Sequence, residues 1–269
     1  MEVLEYFGKI IDAHGHIYPD KIAYKATEAI AIFYSAPMRH IGTVESIKES
    51  GKNIGVRRQL VCSTATVPEQ VQAINTYISD SCKANPQFIG FATMHPDYTD
   101  IERELLRIKS LGLMGIKLHT DFQEFYIDDP RAVLMYHSIA EVGLPILFHM
   151  GDNKRNYSQP NQLQRVMNYV PNLTAIAAHF GGYQKWDEAT RCLKDIPNLY
   201  LDTSSSLDFI SPEAAVRIIE ILGEDRFFFG TDFPMWDHLE EFNRFMKLPL
   251  DERQREKILF MNFERLFNV

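Results

Sequence analysis

Residues 10–16, with the sequence IIDAHGH, place an apolar run directly before a His-x-His pair. Runs of the same kind recur as GIKLH at 115–119, PILFHMG at 145–151, AAHFGG at 177–182 and FFFGTDFP at 227–234. Each run predicts a short strand that is buried on both faces and ends at polar residues. The recurrence of this unit is the basis for predicting the fold of the chain.

Eight such runs are candidate strands, and stretches with helical periodicity separate them. The candidate strands are residues 9–12, 59–62, 88–92, 115–118, 145–148, 174–178, 199–201 and 226–229. From the third onward they begin roughly 25–30 residues apart, about the length of one strand–helix unit. Ser211 and Pro212 form a typical helix start between two of them. The pattern predicts an α/β protein, a TIM (β/α)8 barrel in a single domain over residues 1–269.

Residues 17–58 interrupt the regular alternation after the first strand. They contain helical stretches around 21–33 and 43–55. On a barrel such an insertion is a candidate lid or dimer contact, or decoration without a role in the site. The tail, residues 251–267, is amphipathic and predicts a closing helix on the barrel exterior.

Composition excludes several classes of protein. The 269 residues are 45% hydrophobic and 24% charged, a usual globular mix, and the net charge of −8 argues against a nucleic-acid partner. The three cysteines lack a CxxC spacing, so a disulfide scaffold is not expected. The first residues, MEVLEYFGKI, do not resemble a secretory signal, and no segment approaches the ~18 apolar residues of a membrane span. We therefore expect a cytoplasmic protein without a membrane partner.

Polar residues cluster at the predicted strand ends, where the active sites of (β/α)8 barrels lie. The residues at these ends are His14, His16, His119, His149, His179 and Asp232. Five of the nine histidines in the chain are among them. Because the carboxyl ends of the strands meet at one mouth of a barrel, these side chains are expected to converge on a common site.

The His-x-His pair predicts a metal site. Residues i and i+2 of a strand point to the same side, so His14 and His16 can bind one ion, and Gly15 leaves room for close approach. Imidazole and carboxylate donors suit Zn²⁺ best, with Mn²⁺, Fe²⁺ and Co²⁺ as alternatives. Three or four protein ligands leave an open site that activates water. Asp12 either accepts a hydrogen bond from a ligand imidazole or is a structural buried carboxylate.

Residues after the fifth and eighth strands are candidates for substrate binding. Lys154 or Arg155 can hold a substrate carboxylate through charge-assisted hydrogen bonds, or lie in a solvated loop. Trp236 and Phe233, which follow Asp232, can form a wall of the pocket. The predicted partner is thus a small molecule that carries a carboxylate.

The chain resembles the amidohydrolase superfamily, in the branch that contains aminocarboxymuconate-semialdehyde decarboxylase and related decarboxylases and lactonases. The segments that carry the resemblance are IIDAHGH, GIKLH, PILFHMG, AAHFGG, FFFGTDFP and the closing MNFERLF at 261–267. They follow one another in the family's order from the first strand to the last helix.

The resemblance implies a role for each strand-end residue. The implied metal ligands are His14, His16, His149 and Asp232. Asp232 would also take a proton from water, His179 would act as acid or base, and His119 would contact the substrate. Lys117 lies on the strand where binuclear members carry a bridging carboxylated lysine, but its KLH pattern is more similar to the mononuclear branch. The resemblance therefore implies one metal and, because relatives are often dimers, a homodimer.

The leading functional prediction is hydrolysis of a small carboxylate-bearing ester, lactone or amide by metal-activated water. The first alternative is non-oxidative decarboxylation of a small or aromatic carboxylic acid at the same site, and the sequence does not separate the two reactions. The second alternative is a non-catalytic metal-binding barrel. It would require a closed metal site or missing acid and base residues, whereas His179 and Asp232 are both present.

Overall fold

The barrel predicted from the sequence is confirmed. A computed structural model describes residues 5–269, in which eight parallel strands form one sheet in sequence order. The strands are β1 (Ile11–His16), β2 (Arg58–Cys62), β3 (Phe88–Thr93), β4 (Gly115–Leu118), β5 (Ile146–Phe148), β6 (Ala175–Ala177), β7 (Leu199–Asp202) and β8 (Phe227–Phe228). Their side chains are almost all buried, because helices cover the outer face and side chains fill the interior.

Helices alternate with the strands around the barrel. They are α1 (Asp20–Tyr34), α2 (Val44–Lys52), α3 (Val71–Ala84), α4 (Ile101–Ser110), α5 (Thr120–Gln123), α6 (Pro130–Glu141), α7 (Pro160–Tyr169), α8 (Trp186–Leu193), α9 (Pro212–Leu222), α10 (His238–Met246), α11 (Glu252–Glu256) and α12 (Asn262–Phe267). A π-helical turn, Lys257–Met261, joins the last two. The predicted cap of α9 is confirmed, since the Ser211 hydroxyl accepts a hydrogen bond from the Ala214 N–H. Across residues 5–269 we find no helix of the length and apolarity that a bilayer crossing needs.

The insertion after β1 contains α1 and α2. Helix α2 packs on the barrel through the fully buried Ile47. Helix α1 is far less covered: only Ala23 and Thr27 are buried in it, while Tyr24 and Ile32 are 67% and 72% exposed. Its action as a lid or dimer contact stays a prediction.

Strand β1 extends further than the sequence indicated. It pairs with β2 as far as His16, so both histidines belong to the strand itself, and the register shifts between Asp12 and Gly15. A side chain at position 15 would have no room, because its Cβ would lie 2.8 Å from Ile47 Cδ1 and 3.2 Å from the Leu60 carbonyl oxygen. Glycine therefore lets β1 carry its two histidines against the neighbouring strand.

Backbone hydrogen bonds close the barrel between its first and last strands. The Ala13 N–H donates to the Phe229 carbonyl at 2.8 Å, and the His16 N–H donates to Phe233 at 2.7 Å. In the other direction the Asp232 N–H donates to the His14 carbonyl at 2.8 Å. Closure thus places the end of β1 beside the segment that follows β8.

Asp12 is a structural carboxylate at this closure. It is fully buried and accepts hydrogen bonds from the Thr231 N–H (3.0 Å) and hydroxyl (2.7 Å), and from the Gln59 side-chain amide (3.0 Å). The His14 backbone N–H donates to it at 3.1 Å, and the neighbouring imidazole is that of His238, at 3.0 Å. Of the two roles that the sequence left open, the structural one fits these contacts.

We expect Asp12→Ala to lower the free energy of unfolding by about 3 kcal/mol or more, because buried donors of β1, β2 and the segment after β8 would lose their acceptor. Urea denaturation followed by circular dichroism measures the change. Asp80→Ala is the matched control: its carboxylate is 63% exposed and pairs with Lys83 on the surface, so a loss below about 1 kcal/mol is expected. Equal losses in both variants would contradict this role for Asp12.

Candidate metal centre

The structure brings the His-x-His pair and the strand-eight carboxylate together. Asp232 Oδ1 lies 3.1 Å from His16 Nε2 and 3.5 Å from His14 Nε2, and the three donor atoms lie within 4.8 Å of one another. Donors bound at about 2.0–2.2 Å around one ion lie about 3.3–3.5 Å apart, so the spacing fits a single divalent metal. These three residues are the predicted ligands that form one group.

A carboxylate that the sequence analysis did not single out orients His14. Asp202, the last residue of β7, is fully buried, and its Oδ2 lies 2.8 Å from His14 Nδ1. Its Oδ1 accepts hydrogen bonds from the Ser204 hydroxyl (2.5 Å) and from the backbone N–H of His179 (3.0 Å). Metal-binding histidines commonly donate a hydrogen bond from one ring nitrogen to such a carboxylate, and the other ring nitrogen then binds the ion. Asp202 lies at a strand end, so the rule that identified the other residues would also have identified it.

Burial keeps most of the imidazoles of the site neutral. Burial lowers the pKa of three of its imidazoles, those of His14, His119 and His149. Burial likewise lowers the pKa of His179 to about 4, so these rings are neutral at pH 7 and keep a lone pair. Although burial alone would raise the pKa of Asp232, His14 and His16 outweigh it and hold that pKa well below its usual range. His16 is the exception: although burial alone would lower its pKa, Cys62 and Asp232 outweigh burial and raise that pKa to about 9. Because Zn²⁺ and Mn²⁺ bind neutral imidazoles and ionised carboxylates, this ring gives up its proton when an ion binds.

His149 and His179 form a pair beside this group. His149 Nδ1 lies 3.0 Å from His179 Nε2, and the His179 ring stacks on His14 with 5.4 Å between centroids. In the described part of the chain, His149 groups as a donor with His119 and Asp121 rather than with the first three residues. Its role as a fourth ligand stays a prediction.

The two residues predicted as acid and base have strained backbones. His179 has a φ of 61° and Asp232 a φ of 59°, in the left-handed region, which costs about 1–3 kcal/mol for residues other than glycine. Hydrogen bonds hold both side chains in place. The Ser205 hydroxyl donates to Asp232 Oδ2 at 2.6 Å, and His179 Nδ1 lies 2.9 Å from Ser204 Oγ. Strained backbone conformations of this kind are typical of functional sites.

Tyr34, the last residue of α1, reaches the site from the insertion. Its hydroxyl lies 2.8 Å from His119 Nε2 and 3.3 Å from His149 Nε2. The rings of His119 and His149 stack at 3.8 Å. No feature of the sequence indicated Tyr34, because its approach depends on how the insertion folds over the mouth.

Lys117, on β4, reaches into the barrel. It is fully buried, with Nζ 3.0 Å from His14 Nε2, and burial lowers its pKa. The contact is with an imidazole rather than with a direct carboxylate partner. The binding of one metal ion rather than two stays a prediction.

Two cavities reach the site, and Tyr34 lines both. The larger, of about 1000 Å³, contacts His16, His119, His149, Asp121 and Asp232. The smaller, of about 300 Å³, contacts His149, His179, Ser205 and Asp232. The residues predicted to bind substrate are therefore divided: His119 and Arg155 line the larger cavity and Trp236 the smaller, whereas Phe233 is fully buried.

Comparison with known proteins assigns the family. The amidohydrolase family model matches residues 11–269, so the chain belongs to the amidohydrolase family. No curated protein matches the chain in sequence at a significant level.

Solved structures share the whole fold at low identity. The 5-carboxyvanillate decarboxylase LigW from Sphingomonas paucimobilis has a TM-score of 0.76 and 16% identity, with 97% of this chain and 99% of that chain covered. A dihydroxybenzoic acid decarboxylase from Polaromonas sp. JS666, with bound manganese and 2-nitroresorcinol, has a TM-score of 0.73 and 15% identity, with 97% of each chain covered. A probable 2-pyrone-4,6-dicarboxylic acid hydrolase from Acinetobacter baumannii has a TM-score of 0.72 and 16% identity, with 97% of this chain and 100% of that chain covered.

Family membership and the donor group together support a metal-dependent enzyme of the amidohydrolase superfamily. The residues needed for a divalent ion are present at the mouth of the barrel, and they are held in orientation by buried hydrogen-bond partners.

Asp202→Asn is expected to weaken metal binding by about 10- to 100-fold without removing a ligand, because His14 would lose the carboxylate that fixes its ring. Competition of the purified protein with a chelating dye for Mn²⁺ and Zn²⁺ measures the affinity. Asp187→Asn, an exposed substitution on α8, is the control and should bind both ions as the unsubstituted protein does. Unchanged affinity in Asp202→Asn would exclude the orienting role.

Proposed function

We propose that this protein is a metal-dependent non-oxidative decarboxylase of a small or aromatic carboxylic acid. The observation that carries the proposal is that the donor group of His14, His16 and Asp232 opens into a cavity lined mainly by apolar side chains. The proposal takes the sequence's first alternative over hydrolysis. It is supported by the fold shared with LigW and with the Polaromonas decarboxylase.

An apolar cavity favours loss of carbon dioxide for a physical reason. A carboxylate that leaves water for such a cavity loses much of its solvation, and breaking the bond to carbon dioxide relieves this cost. Arg155 lines the cavity, and its guanidinium lies 4.4 Å from the centre of the Phe33 ring. We propose that Arg155 guides the anion inward.

The reaction requires one bond to break and one proton to move. The bond between the carboxyl carbon and its neighbour breaks, its electron pair stays on the neighbouring carbon, and that carbon takes up a proton. A bound divalent ion would supply Lewis-acid stabilisation of the negative charge. We assign the proton transfer to Asp232, which is ionised and can take a proton from an acidic group of the substrate and return it to carbon. His179, on the smaller cavity, would assist this transfer.

The proposed ligands are His14, His16 and Asp232, with His149 as the fourth. Zn²⁺ is the ion that the sequence favoured, and Mn²⁺ is the second ion to test because the Polaromonas enzyme holds manganese. The homodimer and the cytoplasmic location stay predictions.

Hydrolysis is the second candidate, and the probable pyrone-dicarboxylate hydrolase of the same fold favours it. The two reactions differ in what they add to the product. Decarboxylation adds a proton to carbon, whereas hydrolysis adds the oxygen of water to a carbonyl carbon.

Isotope labelling distinguishes the two reactions. With Mn²⁺- or Zn²⁺-loaded protein and a panel of hydroxybenzoates and a 2-pyrone lactone, we expect carbon dioxide release and, in D₂O, one deuterium on the carbon that lost it. Mass spectrometry of the products measures both. Incorporation of ¹⁸O from labelled water without carbon dioxide release would overturn the decarboxylase proposal and favour hydrolysis.

Asp232→Asn and His179→Ala are each expected to slow the same reaction about 100-fold or more, the usual contribution of a general acid or base. Initial rates on the best substrate of the panel measure the loss. Asp195→Asn, an exposed substitution after α8, is the control and should keep the full rate. A His179→Ala variant with the full rate would remove His179 from the proton transfer.

A further inference from the structure

The larger cavity continues well beyond the metal centre. Its volume of about 1000 Å³ lies at the upper end of the range of about 300–1,000 Å³ for small-molecule sites. From the donor group it runs outward between α1 and α3, so the space available exceeds what one aromatic ring with a carboxylate needs.

Helix α1 forms one wall of this groove. The side chains that line it are Ile22, Ala26, Ala29, Ile30 and Phe33. Their spacing of three or four residues places them along one face of the helix. Lys21 and Tyr34, near the two ends of α1, also line the cavity, so the face is apolar between them. The residues of α1 that are buried, Ala23 and Thr27, do not line it.

The turn before α3 and the helix itself form the opposite wall. The residues that line it there are Glu69, Gln70, Ala73, Ile74 and Tyr77. Small side chains face the groove from both helices, at Ala26 and Ala29 on α1 and at Ala73 on α3. They leave open the space that larger residues would fill.

Charge is distributed unevenly along the cavity. Near the donor group lie the imidazoles, Arg155 and the side chains of Asp121, Glu124 and the ionised Asp232. Helix α1 and the turn before α3 add mostly apolar side chains, together with Lys21, Glu69 and Gln70. With a divalent ion at the donor group and Arg155 beside it, an occupant that is anionic at that end and apolar over the rest of its length fits the cavity.

We infer that the substrate is an amphiphilic carboxylic acid, with its reacting carboxylate at the metal centre and an apolar substituent of several carbon atoms in the groove between α1 and α3. The inference rests on the proposed function and adds the substrate class to it. The continuity of the groove with the metal centre is what points to substrate rather than to a protein partner.

Binding of a homologous series tests the inference. Calorimetric titration of the Mn²⁺-loaded protein with benzoate and its 4-propyl, 4-pentyl and 4-heptyl derivatives gives one dissociation constant for each chain length. Because burial of one methylene contributes roughly fourfold in affinity, the constant should fall steeply with each step until the groove is filled.

Two variants test whether the alkyl substituent lies in the groove. Ala26→Trp on α1 and Ala73→Trp on α3 fill the groove from opposite walls, so each should remove most of the gain with chain length and leave benzoate binding unchanged. Lys25→Trp is the matched control: it adds the same side chain at an exposed position of α1 that does not line the cavity, and the gain should persist.

Affinity that does not depend on chain length in the unsubstituted protein would overturn the inference. So would tryptophan variants that weaken benzoate as much as 4-pentylbenzoate. The titration needs no turnover, so it is separate from the isotope experiment. A steep chain-length dependence without carbon dioxide release from any acid would reject the decarboxylase proposal and leave the groove as the binding site of an apolar carboxylate.

Discussion

The hydrogen-bonded contact between β1 and the segment after β8 is the constraint on which the site depends. Asp12 accepts two hydrogen bonds from Thr231, and the next residue, Asp232, is joined through its N–H to the His14 carbonyl. This contact brings together His16 and Asp232, which are 216 positions apart in the chain. The donor group is therefore a consequence of barrel closure, and Asp232 has a left-handed backbone at this contact.

The eight strands and the residues at their ends were predictable because both signals are local. A buried parallel strand is a short apolar run, and a polar residue that follows it lies at the mouth of the barrel. His14, His16 and Asp232 follow such strands, and they lie together in the structure. The pairing of His149 with His179 could not be predicted in this way, since side-chain rotation depends on neighbours from other strands. The position of Tyr34 could not be predicted either, because an insertion helix has no fixed position on the barrel.

The chemistry of the site depends on parts of the chain outside the barrel. The same imidazoles and carboxylate serve hydrolysis and decarboxylation, which is why the sequence left the two reactions open. The walls above the metal centre differ from it in character: α1 and α3 contribute apolar side chains, and α1 ends in Tyr34, whose hydroxyl contacts two of the imidazoles. We therefore propose that the insertion after β1 selects the substrate while the closed barrel supplies the reactive groups.

Anomalous diffraction from crystals grown with Mn²⁺ tests the metal centre, because it locates the ion without reference to activity. We expect one peak at about 2.0–2.2 Å from His14 Nε2, His16 Nε2 and Asp232 Oδ1, the usual range for nitrogen and oxygen ligands. A peak among His119, Asp121 and His149, the neighbouring group of donors, would contradict it, as would crystals without a peak near β1.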